Sequence, residues 1–102
     1  MAIVSRAVWK YGPLNPGDPL TVDMPAATIV AFAEVHAKEE SELGVFRSVR
    51  LYVWAEVTPD APKVGRKHVV VGTGWDIEPG WVHRGTVVST TGYVWHLYEN
   101  PS

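Results

Sequence analysis

The chain has 102 residues, with nine Lys and Arg against eleven Asp and Glu, four His, no Cys and a formal net charge of −2. That length carries one hydrophobic core and not two, and the lack of cysteine excludes a disulfide framework, thiolate chemistry and zinc–cysteine sites. The basic residues are scattered, so a grip on nucleic acid is not implied; no stretch approaches the roughly 20 apolar residues of a membrane span, and the first six residues hold no apolar region of an export signal.

Hydrophobic residues make up 46% and charged residues 20%, ordinary globular material, so residues 1–102 are expected to fold as a single domain. Ala7, Trp9 and Tyr11 alternate with Val8 and Lys10, the period-2 signature of a first strand. Gly12 is expected to end it, because the run from Gly12 to Pro19 holds three prolines and two glycines and reads as an irregular connection. Leu20, Val22 and Met24 then alternate with Thr21 and Asp23 in a short second strand stopped by Pro25.

From Ala27 to Lys38 every odd position is apolar, while the even ones pass from Val30 and Phe32 to Glu34, His36 and Lys38. A strand half-exposed at its far end fits this pattern. A helix with Ile29, Phe32, Ala33 and His36 on one face competes, helped by the alanines and the charged run after them. Val45, Val49, Leu51, Val53, Ala55 and Val57 form an apolar row broken only by Arg47, the clearest strand of the chain. Thr58-Pro59-Asp60-Ala61-Pro62 supplies turn chemistry, and a hairpin return from Arg66 to Val71 is expected to follow. Gly72-Thr73-Gly74 breaks the pattern, Glu78-Pro79-Gly80 marks a turn, and a strand from Trp81 to Ser89 precedes the last one. In that last segment Tyr93, Trp95 and Leu97 point one way and Val94, His96 and Tyr98 the other, so both faces are worth covering. The whole reads as an all-β fold, a small antiparallel sandwich or partly open barrel of about seven strands.

Motifs for chemistry are sparse. Gly72-Thr73-Gly74 lacks the further glycines or Gly-Lys-Ser/Thr ending of a phosphate loop and reads as a corner or bulge. His36, His68, His83 and His96, with Asp76 or Glu99, show no metal-ligand spacing. Asp76, Glu78 and Glu99 lie nearest the aromatic-rich loop, but nothing sets a pair of them as acid and base, and there is no nucleophile elbow. The expectation is a non-enzyme without metal or cofactor.

Five tryptophans are the compositional excess. Trp9, Trp54 and Trp95 sit inside strand patterns and read as core. Trp75 and Trp81 flank the turn from Asp76 to Gly80, where aromatic anchors for a partner are commonly presented, although folding back to cap the core accounts for them equally well. The binding site is therefore placed on Trp75, Asp76, Trp81, His83 and Arg84. The acidic run Glu39-Glu40-Ser41-Glu42 is the rival surface and reads as a solvated face.

With Trp9-Lys10-Tyr11, Met24-Pro25, Gly72-Thr73-Gly74, Gly85-Thr86 and Val94-Trp95-His96-Leu97-Tyr98-Glu99 in this order, most of the chain resembles a family of small proteins of unknown function encoded mainly by tailed phages and prophages. It departs from that pattern at Gly12, which separates Tyr11 from Pro13-Leu14, and in a longer segment from Lys38 to Arg50. The resemblance implies a phage origin and no catalytic residue. The resulting expectation is an accessory protein of the host cytoplasm that binds and modulates a host protein. Alternatives are an oligomeric sponge for a nucleotide signal, with a pocket of Trp75, Trp81, His83 and Arg84, and a virion decoration or tail-associated component.

Overall fold

The computed structural model describes residues 6–101, the side chains of residues 39, 46 and 47 apart. The expectation of no export signal concerns residues largely outside this range, and Glu39 of the acidic run has its side chain outside it. Seven strands follow one another: β1 (Ala7–Leu14), β2 (Leu20–Met24), β3 (Ala27–Ser41), β4 (Gly44–Val57), β5 (Val64–Gly72), β6 (Val82–Val88) and β7 (Val94–Asn100). They pair antiparallel in two sheets, β1-β4-β3 and β2-β5-β7-β6, which make an open sandwich. No helix occurs among the described residues, and none is therefore long and apolar enough to cross a membrane.

Alternation decides what faces the interior. Leu51, Val53, Ala55 and Val57 of β4 are buried, and their partners Trp9 and Tyr11 of β1 share that face. From the other sheet come Val70 of β5 and Leu97 of β7, register partners with no exposure. Leu14, Leu51, Val53, Val70 and Leu97 form the core cluster, with Leu20, Ile29, Phe32, Val87 and Trp95 packed around it. Gly85 stands where Phe32 needs room: a Cβ there would lie 3.3 Å from the Cβ of Phe32.

Segment 27–38 is a strand and no helix, and its mixed pattern has a physical cause. The register with β4 shifts between Ile29 and Ala31, so Val30 is an extra residue and the inward set changes from Ala27 and Ile29 to Phe32, Glu34 and His36. Three expectations are corrected. β4 and β5 form no hairpin, because the turn after Val57 carries the chain into the other sheet, where β5 pairs with β2 and β7. Trp54 is no core residue: it pairs with Lys10 on the outer face of its sheet, where the Lys10 ammonium sits 4.0 Å from the Tyr52 ring centre and 5.9 Å from that of Trp54. Nor does β1 stop at Gly12; it runs to Leu14 through a register shift after Tyr11, which turns Leu14 back onto Leu51.

Gly12 and Gly74 both need a positive φ, +130° and +87°, yet a Cβ on Gly12 would also meet Tyr52 Cδ1 at 2.9 Å and the Leu51 carbonyl at 3.0 Å, whereas Gly74 faces open space. Gly74→Ala should therefore lower stability by about 1–2 kcal/mol, the backbone cost of the left-handed region alone. Gly12→Ala should cost clearly more. Urea melts of both variants check the order, and equal losses would refute the packing part of the argument.

Candidate functional site

Residues 73–81 connect β5 to β6 across the end of the second sheet. The Trp75 amide donates to the Gly72 carbonyl at 3.2 Å and closes the turn. The Trp75 ring meets Trp95 edge-on, with centres 5.9 Å apart, and Trp95 in turn stacks on Tyr93 at 5.5 Å. Trp75 nevertheless keeps 48% of its surface exposed, and Ile77 is also exposed. Trp75, Asp76, Ile77 and Trp81 line a cleft of about 370 Å³ with Val69 and Val71 of β5 behind them. Trp75 thus lies against Trp95 and still leaves apolar surface open to solvent.

His83 and Arg84, the other two residues of the sequence-based site, line a separate cleft with Ala27, Thr28, Ile29 and Arg66. The single pocket of Trp75, Trp81, His83 and Arg84 is thus divided between two places. The register explains the division. Val82 pairs with Glu99, His83 with Tyr98, then Gly85 with Leu97, so Arg84 is the extra residue of a bulge. A bulge of this kind re-aims one side chain, and here it sends Arg84 to Glu99.

Glu99 is the centre of an interior ion cluster that sequence reasoning missed. Its side chain is 2% exposed. Arg66 Nε donates to Oε2 at 2.5 Å and Arg66 Nη2 to Oε1 at 2.6 Å, a two-pronged pairing, while Arg84 Nε donates to Oε1 at 2.9 Å. Arg66 Nη1 is also used, donating to the Ala27 carbonyl at 3.1 Å beside the Met24 sulfur. Burial works to raise the Glu99 carboxyl, but the bonds from Arg66 and Arg84 outweigh it and hold the group below the usual carboxylate range. His68, register partner of Glu99, is buried with Nε2 3.9 Å from Glu99 Oε1 and no hydrogen bond to that nitrogen among the described residues. Burial pushes its pKa below the ordinary histidine value, against the pull of Glu99. The missed signal was Glu99 itself, which continues the inward row of Trp95 and Leu97 at the same spacing of two.

On the outer face of the second sheet, Thr86 Oγ1 lies 2.8 Å from His83 Nε2 and 3.0 Å from His96 Nδ1, and Thr73 Oγ1 lies 3.0 Å from His96 Nε2. These histidines are tied to hydroxyls, and no three His, Asp or Glu side chains among the described residues converge to hold a metal ion.

A cavity of about 520 Å³ opens between the sheets where Glu34, Leu51 and Trp95 meet the loop after β1 and the turn after β6. Glu34 Oε2 accepts from the Thr90 amide at 3.3 Å and lies 3.1 Å from His36 Nε2. Oε1 is covered and completes no hydrogen bond among the described residues. Burial raises the Glu34 carboxyl, and the nearby Ser89 hydroxyl, His36 and the Thr90 amide together bring it below its ordinary value.

Residues 4–102 match the model of a family described as a domain of unknown function (DUF7352). No curated protein and no solved structure matches the chain.

Glu99→Gln removes the counter-charge of two guanidiniums, and the loss of one partner from a buried ion cluster costs about 3–5 kcal/mol, to be read from urea melts. The pH dependence follows from the lowered pKa values of His68, Glu99 and Glu34. Each binds a proton less readily when folded, so each contributes stability above its unfolded value, 6.5 for His68 and 4.5 for the two carboxylates, and loses it as pH falls towards the folded value. Stability should therefore decline in two steps on acidification, and in His68→Gln the upper step should disappear. Melts across the acid range check this, and an unchanged upper step in the variant would assign it elsewhere.

Proposed function

We propose that this chain, which belongs to the DUF7352 family, is a phage-encoded accessory protein that docks on a host protein in the host cytoplasm and modulates it without catalysing a reaction. The observation that carries this reading is the cleft of Trp75, Ile77 and Trp81, backed by Val69 and Val71 and rimmed by Lys67, Asp76 and Glu78. Rigid aromatic rings around an apolar floor, with charges kept to the edge, are the composition of a protein-binding hot spot. The phage origin rests on the order of the motifs from Trp9 to Glu99. The non-enzymatic reading is supported by the use of the most buried carboxylate, Glu99, which both arginines occupy in a structural cluster.

A second reading, a binder of a small ligand, draws on the cavity of about 520 Å³ between the sheets, which lies within the usual range of ligand pockets. A metabolite released on heating the purified protein would favour it over the first.

Affinity capture from host lysate followed by mass spectrometry tests the docking reading, which expects one stoichiometric host protein. With that partner in hand, Trp75→Ala and Trp81→Ala should each weaken binding by about 1–3 kcal/mol in calorimetry, with the far-UV spectrum unchanged. Arg84→Ala is a poor probe of the same surface, because Arg84 also holds Glu99. Binding that survives the double tryptophan variant and fails when Glu40 and Glu42 are neutralised would move the partner to the β3–β4 hairpin.

A further inference from the structure

The cluster around Glu99 does not balance its charge. Two guanidiniums meet one carboxylate, and His68 beside them is held in its neutral form by burial. Among the described residues the strands packed there bring no second acid: β3 contributes Ala27 and Ile29, β2 contributes Met24, and β6 contributes His83 and Arg84. Glu56, the carboxylate across the strand pair from Thr28, is met by Arg6 at 2.9 Å. One positive charge is left over, and the groups that carry it line a cleft of about 370 Å³ at the seam between β3 and β6.

The two arginines differ in what they have left to give. Arg66 spends Nε and Nη2 on Glu99 and Nη1 on the Ala27 carbonyl, and its side chain is 16% exposed. Arg84 spends only Nε, and its side chain is 34% exposed. Its two terminal nitrogens have no hydrogen-bond partner among the described residues. A guanidinium held from behind by a buried carboxylate is fixed in place before a ligand arrives, so binding to its free edge costs little side-chain entropy. Parallel N–H donors on that edge fit two oxygens of one oxyanion. Thr28 and His83, both exposed, line the same cleft from its rims, His83 with its Nε2 held by the Thr86 hydroxyl and its other ring nitrogen left to donate.

We propose that the β3–β6 cleft is a binding site for a small oxyanion of the phosphate type, free or as a monoester, gripped by the terminal nitrogens of Arg84, with Arg66 supplying charge and Thr28 and His83 closing the sides. This site is distinct from the aromatic cleft and neither requires nor excludes a protein partner there. The bulge leaves Arg84 without a partner residue on β7, and from that extra position its side chain meets Glu99.

Inorganic phosphate is the first probe, titrated into the full chain at fixed ionic strength with chloride as the control, because non-specific screening then cancels. Phosphate should bind saturably and raise the melting temperature above the chloride value. Arg84→Gln should weaken phosphate binding by at least about tenfold, and Thr28→Val, which leaves the Glu99 cluster alone, by several-fold. Should Arg84→Gln not fold, the wild-type chain still decides: in NMR titrations phosphate should move the Arg84 Nε–H and His83 signals before all others. Phenyl phosphate binding more tightly than inorganic phosphate would assign the cleft to an organic monoester, and equal binding would assign it to the free ion. Equal effects of phosphate and chloride, undiminished binding by a folded Arg84→Gln, or shifts confined to other residues would overturn the proposal.

Discussion

A carboxylate sealed between two sheets keeps its charge only if its neighbours bring opposite charge to it, and in this chain the positions of three strands are fixed by meeting that demand at Glu99. Arg66 reaches it from β5, two residues before the register partner His68. Arg84 reaches it from β6, at the extra position of a one-residue bulge. A slip of β7 by one position would turn Glu99 to solvent and leave both guanidiniums facing the apolar interior, a change costly enough to exclude the alternative pairing. A wholly apolar row at these positions would tolerate such a slip more readily. The ion cluster thus acts as a register pin, whatever its net contribution to stability.

Where a strand obeys a single alternation, its sequence was enough to place it. The rows of Leu51, Val53, Ala55 and Val57 and of Leu20, Val22 and Met24 face inward as their spacing requires, and the sandwich follows from them. Legibility fails at the bulges. Val30 changes the inward set of β3 in mid-strand, which is why segment 27–38 reads as both helix and strand. The same kind of insertion hides the role of Arg84, a residue chosen from sequence as a surface anchor and found with its Nε in an interior cluster. Trp54 misled for another reason: the outer face of the first sheet carries a cation over aromatic rings, so a large hydrophobe there needs no core. The aromatic loop was legible because its residues are consecutive in the chain. The Glu99 cluster joins positions far apart in the chain, and no local pattern announces it.

The two clefts that hold the sequence-based site residues sit on different parts of the second sheet. Trp75, Asp76 and Trp81 belong to a loop laid over its outer valines, while His83 and Arg84 belong to its edge strand beside β3. Apolar recognition and charge recognition are therefore separated in space, and each can change without the other, except through Arg84, which also helps hold the interior together.

The hairpin of β3 and β4 is much longer than the sandwich it belongs to. β1 leaves β4 at Leu51, so from Arg50 outward the two strands pair only with each other among the described residues, out to a turn where Leu43 is 89% exposed. A two-stranded ribbon without a third strand or a packed face is marginal in water. Its backbone amides should open and exchange with solvent in local excursions that leave the sandwich intact, a separate cooperative unit within a small domain. Such fraying would run from the tip inward and halt where Glu34 meets Leu51, the first rung of the ribbon that the core supports.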